Sequence, residues 1–413
     1  MKFFRAIEII ISLGIVGLVV VFFSLKNSPP KVLGENTTLD TPTDTTVSNV
    51  LGKSDVDLCK SLQAEDTKDV GQESLNIQSN IGYQNNKFGL YIYRVDDFAI
   101  KAAEMVNSNG GDWGYVLVPY NVTEYDSKKW DSFFAILKEY HLIPVIQLWD
   151  ISKDPQDMLR DTKKSAQFLN SLNWPIKNRY ISVYNEVNDE RFWKSGINPE
   201  EYAWVLDKTI DIYKNENSDF FILNGAFNAS AFTGPGYLSE DTFLLRMDNS
   251  VPGIFSKLDG WASHPYPHIN GYLGTPEDTG RNSIRAYEWE LEILERSYGV
   301  KDLPVFITET GWPHAEGKNI NLNYEKESTV SQYIKRSFEN VWLTDNRVVA
   351  VTPFTIKYDP PFDHFSWIKS NGDTYQMFDT IKGMSKIAGK PPVTEPYNPL
   401  KEKCSKLKEN TNN

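Results

Sequence analysis

Residues 180–226 read YISVYNEVNDERFWKSGINPEEYAWVLDKTIDIYKNENSDFFILNGA, and the order of patterns inside this stretch decides the fold. Tyr180–Asn185 is a short apolar run rich in aromatic and β-branched residues, the pattern of a buried strand. Asn198-Pro199-Glu200-Glu201 then opens a helix with a capping side chain, a proline at the first helical position and an acid at the third. Apolar residues at helical spacing carry it to about Lys214. A second β-rich run, Phe220–Ala226, follows. Strands that alternate with helices imply a parallel sheet with helices packed on it.

The same unit recurs along the chain. Candidate strands are Phe88–Tyr93, Tyr115–Tyr120, Ile143–Leu148, Tyr180–Asn185, Phe220–Ala226, Gly260–Tyr266, Pro304–Glu309 and Val348–Phe354. Helical patterns lie between them, as at Ser127–Tyr140, Asn282–Tyr298 and Glu325–Leu343, with a last one near Tyr375–Ala388. Eight strand–helix pairs imply closure into a (β/α)8 TIM barrel, an α/β fold, over residues 80–390. The alternative is an open doubly wound sheet, but no glycine-rich phosphate turn follows the first strand. Loop lengths point the same way. Connections into strands are short, as at Gly299–Leu303, whereas those leaving strands four to eight are long, as at Pro267–Arg281 and Lys357–Asp373. Barrels of this kind elaborate the face where ligands bind, at the C-terminal ends of the strands.

The flanks read differently. Lys2 and Arg5 precede Ile9–Leu25, an uncharged apolar run, and no small-residue cleavage site follows it. Residues 1–26 therefore read as an N-terminal membrane anchor or a signal segment, the uncleaved anchor being favoured, with the barrel outside the cytoplasm. Residues 27–79, rich in Thr, Ser and Asp, read as a flexible, disordered linker, and residues 391–413 as a C-terminal tail. Cys59 and Cys404, one on each side of the barrel, are a possible disulfide in an oxidising compartment; two unpaired thiols are the alternative. The formal net charge of −12 argues against nucleic acid as a partner. A membrane contact through the N-terminal segment is expected, and monomer is the default state.

Candidate strand four ends in Tyr184-Asn185-Glu186, and strand seven in Ile307-Thr308-Glu309-Thr310-Gly311-Trp312-Pro313. A closed barrel sets these ends across one mouth, so both carboxyls point at a shared space. Glycoside hydrolysis needs such a pair, one to protonate the leaving oxygen and one to attack the anomeric carbon. Their environments must push the two pKa values apart, so that the acid stays protonated while its partner is ionised.

The two glutamate motifs resemble those of glycoside hydrolase clan A, barrels whose acid/base follows an Asn on strand four and whose nucleophile ends strand seven. The resemblance runs from about Phe88 to Gly389 and fixes no single family. It implies a retaining hydrolase with Glu186 as acid/base, Glu309 as nucleophile and Asn185 donating to the sugar 2-hydroxyl. His264-Pro265-Tyr266 is similar to the clan's strand-six motif, which puts Tyr266 on the nucleophile and His264 in the same pocket. Two features depart from the pattern. Val187 stands where many members have proline. Many also carry an arginine at the end of strand two, where this chain has Val118-Pro119-Tyr120; Arg94, after strand one, is the candidate substitute.

Among the tryptophans near strand ends (113, 149, 193, 312 and 367), Trp149, Trp312 and Trp367 are candidates to pack on sugar faces, Trp312 and Trp367 the foremost. A metal-dependent hydrolase is a rival reading, since His264, His268, His314 and His364 all follow strands, but the His-x-His pair typical after strand one is missing. No metal or other cofactor is expected. A barrel that binds carbohydrate at a surface without turnover is a second rival, and a transglycosylase would use the same residues.

Overall fold

The computed structural model describes residues 81–394 apart from 151, 194 and 268–273. Ile9–Leu25, the linker, Cys59, Cys404, His268 and the tail from residue 395 lie outside them. No helix among the described residues is long and apolar enough to cross a membrane.

Eight strands alternate with eight α-helices: β1 Gly89–Tyr91, α1 Phe98–Val106, β2 Gly114–Asn121, α2 Ser127–Glu139, β3 Leu142–Trp149, α3 Pro155–Ser171, β4 Arg179–Asn185, α4 Pro199–Glu216, β5 Phe220–Ala226, α5 Glu240–Ser250, β6 Trp261–Ser263, α6 Ala286–Tyr298, β7 Val305–Ile307, α7 Glu327–Ser337, β8 Val348–Val351 and α8 Gln376–Gly383. All pairings between these strands are parallel and join neighbours in sequence, β1 to β5 in one run and β6 to β8 in another. The runs meet through parallel bridges Leu223–Gly260 and Asn228–His264, and Phe88–Val351 closes β8 onto β1. The result is the (β/α)8 barrel that the order of patterns implies.

Several strands are shorter than their apolar runs. β6 and β7 stop at Ser263 and Ile307, because the chain leaves the ladder to form the mouth. The helices begin where capping chemistry puts them. Asn198 accepts from the Glu201 N–H ahead of Pro199 in α4, and Asp154 accepts from Gln156 and Asp157 ahead of Pro155 in α3. Helix α7 is continued by a π-turn, Phe338–Trp342, and α8 ends at Gly383, earlier than its apolar pattern. Beyond it the chain runs along the N-terminal ends of the strands: Gly389 donates to Asp112, Lys390 to Gln84, and Val393, expected in the tail, bridges Ile176.

Alternation along the strands divides two apolar layers. Leu142, Ile146 and Leu148 of β3 face the helices, whereas Ile143 and Val145 face the barrel interior with Tyr115, Tyr180, Leu223, Ala262 and Phe306. The interior is therefore packed with large apolar and aromatic side chains at its base.

Candidate active site

The uppermost layer contains Gln147 on β3, Asn185 and Glu186 at the end of β4, His264 and Tyr266 after β6, and Glu309 two residues past β7. All six are buried. Strict alternation on β4 would turn Tyr184 and Glu186 inward and Asn185 outward. Instead Tyr184 has φ 73° and Glu186 φ 34°, a left-handed backbone that side chains rarely adopt. Tyr184 thereby joins the outer layer against Trp193, and both Asn185 and Glu186 reach the site. A Cβ at Gly225 on the facing strand would lie 2.5 Å from the Val183 carbonyl oxygen, so only glycine fits beside this kink. Tyr202 of α4 clamps it, donating to Val183 O at 3.1 Å and accepting from the Gly225 N–H at 2.6 Å. Each such backbone position costs roughly 1–3 kcal/mol and persists where surrounding contacts fix it, a pattern concentrated at functional sites.

His264 stands between the carboxyls. Its Nδ1 is 3.2 Å from Glu186 Oε1 and its Nε2 is 3.8 Å from Glu309 Oε1. Tyr266 donates its hydroxyl to Glu309 Oε2 at 3.0 Å. Gln147 donates through Nε2 to Asn185 Oδ1 at 2.9 Å and accepts from Trp149 Nε1 at 2.8 Å. Gln147 carried no sequence signal of its own. A polar residue at an inward position of an otherwise apolar strand was the mark available.

The charge states follow from burial and neighbours. Burial pushes the Glu309 carboxyl up to about 7; His264 draws it down, Glu186 pushes it further up, and hydrogen bonds from Tyr266 and Gln147 draw it down again. Burial alone would depress His264, but the carboxylates of Glu309 and Glu186 outweigh it and hold the imidazole above its usual range. Burial, with Glu309 and Glu186 close by, lifts Tyr266 far above an ordinary phenol, so it stays a donor. A retaining pair needs its acid/base held protonated; the carboxyl raised here is Glu309.

Arg94 does not take the place of the strand-two arginine. Its guanidinium pairs with Asp96 at 2.6 Å, lies over Phe98 and is half exposed. The foremost tryptophan candidates are also displaced. Trp312 is 4% exposed, donates to Gly274 O and packs on Tyr333, and Trp367 is 2% exposed in the outer core, so neither offers a free face to a sugar. Trp193 is buried against Tyr184 and Tyr202, and Trp113 stacks on His141 before β2, at the opposite end of the barrel. Loop packing takes these rings, as apolar area beneath long loops requires. Trp149 differs: it is half-buried, edge-on to Phe192. Across the mouth Tyr93, Tyr358 and Phe362 make a second aromatic group, with Tyr358 close enough for its phenol to feel Glu309.

His314 and His364 tie loops together. His314 Nε2 is 2.9 Å from Ser366 O, and His364 Nδ1 is 2.9 Å from His314 O. Among the described residues no group of three or more His, Cys, Asp or Glu is placed to hold a metal ion.

No family model matches the chain, and no curated protein matches it. Solved structures with a similar fold include a GH128 (subgroup II) endo-beta-1,3-glucanase from Pseudomonas viridiflava, at 14% identity and TM-score 0.48 over 73% of this chain and 98% of that one. Fungal beta-1,4-galactanases match at 12% identity and TM-score 0.49, over 73% of this chain and 100% of theirs. A Bifidobacterium dentium beta-glucuronidase matches at 11% identity and TM-score 0.47, over 73% of this chain and 46% of its own. The likeness is one of fold.

Proposed function

We propose that this protein is a retaining glycoside hydrolase acting on oligo- or polysaccharides. The observation that carries the reading is the meeting of Glu186 and Glu309, from the ends of β4 and the β7 segment, on the two nitrogens of one buried imidazole. A Tyr266 hydroxyl aimed at Glu309 completes it. Two carboxyls brought together in a desolvated site repel, and carboxyls perturbed by burial and by each other concentrate at functional sites.

In the proposed reaction Glu309 attacks the anomeric carbon as the bond to the leaving oxygen breaks, and Glu186 gives its proton to that oxygen. Water then attacks the same carbon, passes a proton to Glu186, and releases Glu309 from the glycosyl ester. Asn185 donates to the 2-hydroxyl, where hydrogen bonds strengthen in the transition state. His264 carries positive charge between the carboxyls and limits their repulsion. Trp149 packs on a sugar face. We further propose that the reaction takes place outside the cytoplasm, with residues 1–26 as anchor or signal.

A panel of aryl glycosides tests the reading. Glu309→Gln and Glu186→Gln should each lower kcat by roughly a thousandfold or more on the substrate the wild type accepts. With Glu309→Gly, azide should restore turnover and yield a glycosyl azide of inverted anomeric configuration. Wild-type-like rates in Glu309→Gln would remove the nucleophile assignment.

A further inference from the structure

The hydrogen-bonded row Trp149–Gln147–Asn185 has a polarity that elementary donor chemistry fixes. An indole N–H can only donate, so the group 2.8 Å from Trp149 Nε1 must be the Gln147 carbonyl oxygen. That choice turns the Gln147 NH2 toward Asn185. The atom of Asn185 that receives it, 2.9 Å away, must be Oδ1. The Asn185 NH2 is left as the free end of the row, and no protein partner for it occurs among the described residues. Two amides that could each be turned either way are thus set by one indole, with Gln147 fully buried between Trp149 and Asn185.

We propose that Gln147 is a positioning residue that relays the direction of the Trp149 N–H to Asn185, so that Asn185 meets the substrate 2-hydroxyl as a donor. The proposal rests on the glycosidase reading above. The Gln147 amide also draws the Glu309 carboxyl down, and so favours the carboxylate that attacks. A ring that packs on sugar, the group that holds the 2-hydroxyl and the nucleophile are therefore joined through one neutral side chain. Without Gln147, or without the indole N–H, Asn185 can turn its carbonyl to the sugar, and its discrimination in favour of an acceptor at C2 is lost.

The test compares kcat/KM for an aryl glycoside and its 2-deoxy counterpart, each divided by its uncatalysed rate. The wild type, shown first to hydrolyse the parent glycoside, should favour the 2-hydroxy substrate. Trp149→Phe keeps a ring but removes the donor; Gln147→Glu keeps the acceptor for Trp149 but removes both donors. In each, the preference should fall by about 10- to 100-fold, equivalent to about 1.4–2.7 kcal/mol of oriented hydrogen bonding, mostly in kcat and not in KM. Gln147→Glu should also move the acid limb of the pH profile upward, since it adds a negative charge beside Glu309. Asn185→Asp should abolish the preference in any background, and Trp149→Phe should then have little further effect on it. If the wild type hydrolyses glycosides but Trp149→Phe keeps the full preference, the relay is wrong while the glycosidase reading stands; this holds even if Gln147→Glu fails to fold. If the wild type hydrolyses no glycoside, both fall.

Discussion

Replacing Tyr266 by phenylalanine removes one hydroxyl from Glu309 and nothing else of comparable size, so its effect on the pH profile can be worked out. Attack requires the carboxylate, and kcat/KM should therefore rise with pH through the Glu309 pKa, held by burial at about 7. The Tyr266 hydroxyl donates at 3.0 Å and favours the ionised form. A hydrogen bond to a charged group contributes roughly 1.5–3 kcal/mol, and one pH unit corresponds to about 1.4 kcal/mol. Loss of the donor raises the Glu309 pKa, so the acid limb must move to higher pH. With Gln147 and His264 still in place, the expected shift lies at the lower end, about one unit. At a pH one unit below the wild-type limb the variant loses roughly tenfold from ionisation alone, beyond any loss in the pH-independent plateau. Rates from pH 5 to 9 on an aryl glycoside, with the far-ultraviolet spectrum as a check on folding, measure both parts. A wild-type limb near the ordinary carboxylate value of ~4.3, or an unmoved limb in Tyr266→Phe, would refute the electrostatic account of Glu309.

Two further outcomes follow from burial. Glu290 of α6 lies fully buried behind β6, accepts from Trp261 Nε1 at 2.7 Å, and burial raises its carboxyl to about 7; burial and Glu290 raise the equally buried Glu240 as well. The folded state then holds protons that the unfolded state has lost, so this region loses stability as pH rises from about 4.5 to 7. Glu290→Gln keeps the acceptor for Trp261, and by urea unfolding its stability relative to wild type should improve by about 2–3 kcal/mol between pH 5 and pH 8; an unchanged difference would show that Glu290 does not titrate. Trp149→Ala should lower kcat/KM about tenfold with a nearly unchanged unfolding midpoint, whereas Trp312→Ala should cost roughly 3–5 kcal/mol of stability because it empties a packed site. Thermal unfolding beside kinetics separates the two.

The barrel was legible because its evidence is periodic. Eight apolar runs alternating with capped helices admit few topologies, and the asymmetry of loop length points to the working face. The glutamate positions were legible from motif spacing. What the spacing could not show was the backbone at Tyr184 and Glu186, where positive φ breaks the alternation that any pattern reading assumes. Tryptophan roles were illegible for a different reason. A ring in a loop packs under that loop or faces the cleft according to where the loop folds back, and Trp312 and Trp367 sit under theirs. Gln147 shows only as one amide at an inward position of an apolar strand; its role appears when Trp149 and Asn185 are brought to it.

Among the described residues no arginine is paired with Glu309. β2 ends in Pro119-Tyr120-Asn121, with Asn121 turned to Asp150 at 2.8 Å, and Arg94 is committed to Asp96. Two carboxyls thus share a desolvated mouth with His264, whose charge depends on pH, and with neutral donors from Tyr266 and Gln147. A permanent cation would hold Glu309 ionised well into acid. Here dipoles replace it, and dipoles offset only part of the cost of burying a charge. The carboxyl is therefore left near 7, and His264 is raised by the carboxylates it separates. Such a site gains its nucleophile by losing a proton close to neutrality. Introducing a guanidinium at the end of β2 should then act on pH dependence first, moving the acid limb downward, and on substrate preference hardly at all.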